Sequence, residues 1–435
     1  FMQTGFACIE AGSIRAQSAG TMLLKNLLDM CVGTLSWFLL GYGFAYGVPA
    51  DASRVNTFIG QANFASVGFL EMAGDTIVGT HHFKTWFFQW AFCTTTTTIF
   101  SGAIAERMKV GPYVVFTIVM TGFIYPVIVW WTWSGEGWAS NQGFSDFAGS
   151  AVVHLTGGAS ALAGAAFIGP REGRWDKDMQ DNFKPHNLGF VALGTLILWF
   201  GWYGFNCGST LSFSDSSTAT VAGLVAVNTT LSAATGGITV LLLRLRFELY
   251  DLQGMCNGIL AGLVAICAGA ANVHPASALA IGFFGAIAFE LGCLFEAKLQ
   301  IDDPVDAVAV HGFSGITGCL LRPLFDINGV QGGMFGWHCL TVVVVAAWSA
   351  GFTILTLLPF HFLGILQVEH QDEGADKSLM CRVNTADMAA ARAFEMLRKE
   401  EQRQREISET IEELRTQLKA QGAALGEIGS GPAAP

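Results

Sequence analysis

The chain has 435 residues, of which 52% are hydrophobic and only 13% charged, with 34 phenylalanines. Soluble proteins carry about a quarter charged residues, so a soluble globular class is excluded and a membrane class follows. The net charge of -11 averages an apolar body with a charged, polar tail after Gln367 that holds many of the acidic residues, and it argues against a nucleic-acid partner.

A helical crossing needs about 20 mostly apolar residues. In chain order such segments fall at 27–47, 85–105, 112–132, 147–168, 188–208, 219–243, 255–272, 276–296, 305–321 and 336–364. Phe1 to Gly12 is already apolar and has no initiating methionine, so a first helix whose front, or a signal peptide, has been removed is expected before them. The expectation is an all-α integral membrane fold of eleven transmembrane helices, the first truncated.

Basic residues sort by loop. One set of alternate loops holds Arg15, Lys25, Arg107, Lys109, Arg171, Arg174, Lys177, Lys184, Arg244, Arg246 and Lys298; the other holds Arg54, Lys84 and Arg322. Basic loops stay cytoplasmic, which predicts an outside N-terminus and a cytoplasmic C-terminus. The ten cysteines stand singly without a CxxC pair, and read as small buried hydrophobes rather than metal ligands or disulfides.

A repeat is visible in DFAGSAVVHLTGG from Asp146 and DPVDAVAVHGFSG from Asp303, which align Asp146/His154/Gly158 with Asp303/His311/Gly315. Four helices separate the copies, giving two five-helix units. An odd number of helices inverts the second unit, so the two histidines meet at matching depth near a pseudo-two-fold axis, with a final helix added. An ionisable side chain at the bilayer centre costs about 2.5–3.5 kcal/mol on insertion scales, which favours a cavity-facing role. One neutral imidazole can bond a backbone carbonyl, but two in contact can share a proton and line an apolar pore. Asp146 stands at a helix start, where a carboxylate caps backbone N–H groups; the same residue type can also support a cation. Asp303 and Asp306 carry the same two readings.

FMQTGFACIEAGSIRAQSAGTMLLKNLLD, SGAIAERMK, DFAGSAVVHLTGGASALAGAAFIGPREGR, WFGWYGFNCGS and DDPVDAVAVHG occur in this order. Together they resemble the Amt/Mep/Rh ammonium transporters, and their Amt branch, over Phe1 to about Leu366. The resemblance implies eleven helices, a homotrimer in the plasma membrane, and one substrate pore per subunit for ammonium or ammonia, with methylammonium as a possible substitute. It further implies an outer recruitment site of Trp133, Phe92 and Ser209, a phenyl gate of Phe92 and Phe205, pore histidines His154 and His311, and supporting roles for Trp202 and Asp146. WWTWSGEGW also offers Trp130, Trp131 and Trp138 for the aromatic position. Ring faces attract ammonium and a hydroxyl accepts its N–H, while an apolar pore beyond rejects ions that cannot lose a proton. No catalytic residue, cofactor or metal is assigned, and no nucleic acid is expected as a partner.

The membrane domain is expected over 1–366, with a cytoplasmic linker at 367–387, a helical segment at 388–421 and a disordered end at 422–435. Ile407, Ile411, Leu414 and Leu418 recur at 4, 3, 4 spacing. That is a coiled-coil seam leaning toward three strands, or the face of an amphipathic helix docking elsewhere or against a cytoplasmic regulator. A sensor signalling through this tail is the alternative to a transporter.

Overall fold

The computed structural model describes residues 1–79, 82–247, 250–368 and 402–404. Two compact units are separable, Phe1–Asp376 and Lys377–Pro435. In the second, residues 402–404 are helical. The linker, coiled-coil and disordered-end expectations otherwise lie outside the described residues, apart from Gln367 and Val368.

Eleven helical rods run through the described part of the first unit. They are α1 (Met2–Ser13), α2 (Ala19–Ser36, continued through Trp37–Gly41 and Tyr42–Tyr46), α3 (His82–Ala103) and α4 (Val110–Val119, Met120–Ile124 and Tyr125–Trp133). Next come α5 (Ser150–Leu155 and Thr156–Ile168), α6 (Leu188–Gly208), α7 (Ser216–Leu245) and α8 (Leu252–Ile266). Last are α9 (Pro275–Leu299), α10 (Val308–Phe313 and Ser314–Leu321) and α11 (Gly332–Phe362). Among the described residues, 7 helices are long and apolar enough to cross a membrane.

Local chemistry sets the ends. Asn187, Asp215 and Asp251 each accept a backbone N–H at the start of α6, α7 and α8, and Pro275 opens α9, where its missing N–H costs nothing. The threonine run of α3 is tolerated in a buried helix because its hydroxyls return to carbonyls of the preceding turn: Thr95 to Ala91 at 2.8 Å, Thr96 to Phe92 at 3.1 Å and Thr98 to Thr94 at 3.1 Å.

Several helix boundaries differ from expectation, and they move loop lysines and an arginine into helices. α2 begins at Ala19 rather than 27, so Lys25 is not a loop residue: it is buried inside the helix and its Nζ donates to the Met108 carbonyl at 2.7 Å. Lys84 likewise belongs to α3, Arg244 to the last turn of α7 and Lys298 to the last turn of α9. The connection between α2 and α3 contains an unforeseen hairpin, Leu70–Ala73 against Thr76–Gly79, with Ala73 opposite Thr76 and Gly74 at φ +62.

The helices of the two histidines cross where both are smallest. A Cβ on Gly158 would run into the Gly312 backbone, and one on Gly315 into the Ser150 carbonyl, so glycine lets α5 and α10 touch main chain to main chain. At the opposite ends of these helices, Arg171 joins Asp302 through Nε at 2.8 Å and Glu106 through Nη1 at 2.7 Å. Arg107 donates to the Gly169 carbonyl at 2.7 Å. The segment leaving α11 is sewn to the same place: Lys109 N–H donates to Leu366 at 2.9 Å and Val368 N–H to Arg107 at 2.7 Å.

Candidate functional site

The repeat read in the sequence is matched by a repeat in backbone geometry. Gly149 has φ +100 and Asp306 φ +58, each five residues before its histidine, and each histidine then lies in a π-helical turn, Ser150–Leu155 or Val308–Phe313. The His154 N–H bonds the Gly149 carbonyl at 3.0 Å, the long i to i−5 reach of such a turn. Glycine takes the left-handed φ without strain; Asp306, a residue type that visits that region, is held by Asn257 Nδ2 at 2.8 Å.

Carboxylates start both turns. Asp146 accepts the N–H groups of Gly149, Ser150, Ala151 and Val152 at 2.7 to 3.0 Å, and Asp303 those of Val305 at 3.2 Å and Val308 at 2.8 Å. Four donors saturate the Asp146 carboxylate, so its side chain serves as a cap.

Between the two turns the imidazoles meet. His154 and His311 are buried at 0% and 3% exposure, their Nδ1 atoms are 3.2 Å apart, and their rings stack at 5.2 Å and 22°. Trp202 lies nearly parallel to His154 at 5.3 Å and 14°. Beyond it stands Phe205, 5.7 Å from His154 and stacked on Phe92 at 3.9 Å and 28°. Trp133 meets Phe92 edge-on at 5.6 Å.

Past the phenyl pair opens a cavity of about 160 Å³ whose walls include Trp133, Phe92, Ser209, Phe88, Phe147 and Gln89. The Ser209 hydroxyl donates to the Phe205 carbonyl at 2.9 Å, which leaves its oxygen free to accept. On the other side of the pair, His311 faces Phe6 at 5.8 Å and helps line a small chamber of about 20 Å³ with Phe6, Val310, Leu260 and Asn257. All eight residues singled out in the sequence are therefore contiguous: cavity, stacked phenyls, Trp202, two imidazoles. Of the four candidate tryptophans only Trp133 lines the cavity; Trp130 and Trp131 donate to the Asn56 and Phe58 carbonyls at 3.0 and 2.9 Å.

Sequence reasoning missed two polar members. Gln89 is buried in the cavity wall with its Oε1 unpartnered. Cys267, classed with the inert cysteines, brings Sγ to 3.7 Å from His154 Nε2 and accepts from Trp202 Nε1 at 3.2 Å. Gln89 stands one helical turn before Phe92, a spacing that could have pointed to it; Cys267 comes from α8's far end and carries no local signal.

The ammonium transporter family profile matches residues 1–382. The chain is 35% identical over 400 residues to ammonium transporter 3 of Dictyostelium discoideum, covering 87% of this chain and 89% of that protein. It is 38% identical over 381 residues to the ammonium transporter Amt2 of Archaeoglobus fulgidus, covering 81% and 77%. A solved structure described as a sensor Amt protein matches with TM-score 0.79 and 34% identity over 88% of this chain and 94% of that one. The crystal structure of Candida albicans Mep2 matches with TM-score 0.74 and 30% identity over 85% and 83%. The described residues thus carry the helical membrane fold of Amt and Mep proteins, and the chain belongs to the ammonium transporter family.

Proposed function

We propose that this chain carries ammonium into the cell as ammonia, through a pore in which the ion gives up its proton before the two histidines, the proton either returning to water on the entry side or crossing along the imidazole pair. The observation that carries this reading is the sequence of surfaces along one line: an aromatic cavity with acceptor oxygens, a closed phenyl stack, then two buried imidazoles.

Ammonium brings four N–H donors and no acceptor. Trp133 and Phe92 offer ring faces to its charge, and Ser209 Oγ and Gln89 Oε1 offer oxygens to its protons. Beyond the stack the walls are apolar, where an isolated charge costs on the order of tens of kcal/mol by Born solvation and neutral ammonia does not. Potassium cannot shed its charge and stops there. His154 and His311 supply hydrogen-bonding atoms that carry ammonia through the apolar stretch, and Asp146 and Trp202 hold His154 in place.

In this reading all eleven rods cross the plasma membrane, with the N-terminus outside and the C-terminus in the cytoplasm. Three copies assemble, each with its own pore. Expression in cells lacking ammonium uptake tests it: the chain restores growth on low ammonium, and His154→Ala and Phe205→Ala do not, at equal membrane abundance.

A second reading, an ammonium receptor signalling through the tail, draws on the likeness to a structure described as a sensor Amt protein. Labelled methylammonium flux and current in liposomes separate the two. Flux supports the transporter; ammonium binding without flux supports the receptor.

A further inference from the structure

We infer that Cys267 is a positioning residue that fixes the tautomers of the histidine pair, holding His154 as the Nε2–H form and His311 as the Nδ1–H form. The inference deepens the pore reading and rests on it for its consequence, though not for its test.

Four groups surround Cys267 Sγ: the Leu263 carbonyl at 3.1 Å, Trp202 Nε1 at 3.2 Å, Asn206 Oδ1 at 3.4 Å and His154 Nε2 at 3.7 Å. Indole N–H only donates, so Trp202 takes a sulfur lone pair. A carbonyl only accepts, and the Asn206 amide is oriented by its NH₂ donating to Thr229 Oγ1 at 2.9 Å, which turns its oxygen to the thiol. The thiol has a single proton. Its nearest acceptor is the Leu263 carbonyl one helical turn back, so the sulfur shows His154 a lone pair and no hydrogen.

That choice propagates. A lone pair opposite Nε2 favours a proton on Nε2, and in a neutral imidazole Nδ1 is then bare. His154 Nδ1 lies 3.2 Å from His311 Nδ1, so His311 must carry the shared proton on its own Nδ1 and leave its Nε2 bare. Without the sulfur the pair is nearly symmetric, related by the inverted repeat, and both orders are available. With it, the pair has a direction: His154 Nδ1 is occupied by the bond from His311, and the one bare ring nitrogen not used within the pair is Nε2 of His311, which lines the small chamber.

Nitrogen-15 spectra of histidine-labelled protein in detergent test this, because protonated and bare ring nitrogens resonate apart; His154→Gln and His311→Gln assign the signals. The expected native spectrum has a protonated His154 Nε2 and a bare His311 Nε2. Cys267→Ala removes the lone pair, and Cys267→Ser keeps the Leu263 and Trp202 partners while its shorter C–O bond withdraws from His154. In both, the two Nε2 signals move to intermediate, averaged positions. A bare His154 Nε2 in the native protein, or an unchanged pair of signals in both folded variants, overturns the inference. If neither variant folds, the native spectrum alone decides. No flux is measured, so failure here is distinct from failure of the transport reading.

Discussion

Trp133 Nε1 donates to the Asp146 main-chain carbonyl at 2.7 Å, so the indole in the cavity wall is fastened to the residue whose carboxylate starts the His154 helix. Cavity and pore are one mechanical piece at this point. Removing the carboxylate in Asp146→Ala leaves four buried N–H groups without their acceptor. At about 1–3 kcal/mol for each buried group left unsatisfied, the loss is at least about 4 kcal/mol, and Asp146→Asn, which keeps a single acceptor oxygen, falls between. Thermal unfolding in detergent measures both.

His154 and His311 work as a contacting pair, so their deletions do not add. His154→Ala and His311→Ala each reduce methylammonium flux by at least about tenfold, and the double variant is no worse than the poorer single within about threefold. Multiplying losses in a liposome assay would mean that the two rings act separately.

In the proposed pore the stack of Phe92 on Phe205 is the gate between cavity and imidazoles. Phe205→Ala opens it and lets hydrated ions reach His154, giving a potassium current in ammonium-free liposomes that the native chain lacks. Phe205→Tyr keeps the ring and the barrier. A Phe205→Ala protein as tight to potassium as the native one would remove the gate from the mechanism.

Asp302 supplies a pH signature outside the spanning segments. Burial alone would raise its carboxyl, but hydrogen bonds from Arg171 and the charges of Arg107 and Arg171 outweigh burial and hold it at about 2. In the unfolded chain an aspartate titrates near pH 4, so the unfolded state binds the proton first as pH falls. The stabilisation is full above about pH 4 to 5 and is lost through pH 2, about 2 kcal/mol in all. Asp302→Asn removes this slope. Denaturant unfolding from pH 6 to pH 2 compares the two.

The pair and its partners were legible because the signals are local: Asp, His and Gly at fixed spacing, repeated, in apolar surroundings where polar residues are conspicuous. The stacked phenyl pair and Trp133 needed the family motifs, since any one ring among 34 phenylalanines has no distinguishing pattern. Cys267 was out of reach because its meaning lies in four neighbours, three of which come from α5 and α6. Lys25 was misplaced for a related reason. A lysine between apolar runs looks like a loop residue until a carbonyl 83 positions away, that of Met108, is found to receive it. The left-handed Asp306 matches Gly149 in conformation but not in residue type, so the sequence repeat shows only part of the backbone repeat.

The π-helical turns carry a consequence for how this pore can change. Each turn holds about one residue more than a regular helix would use for the same rise. A single-residue deletion, for instance of Val152, therefore has somewhere to go: the turn tightens to a regular one, and the helix beyond, with its glycine crossing, stays where it was. Inside the turn each residue rotates by up to about 100° around the axis. Insertions and deletions are ruinous in most buried helices, because they swing everything downstream. Here a deletion is confined to the turn that carries the histidine, so in the proposed pore the length of two short turns is an adjustable dial on what the channel shows its cargo.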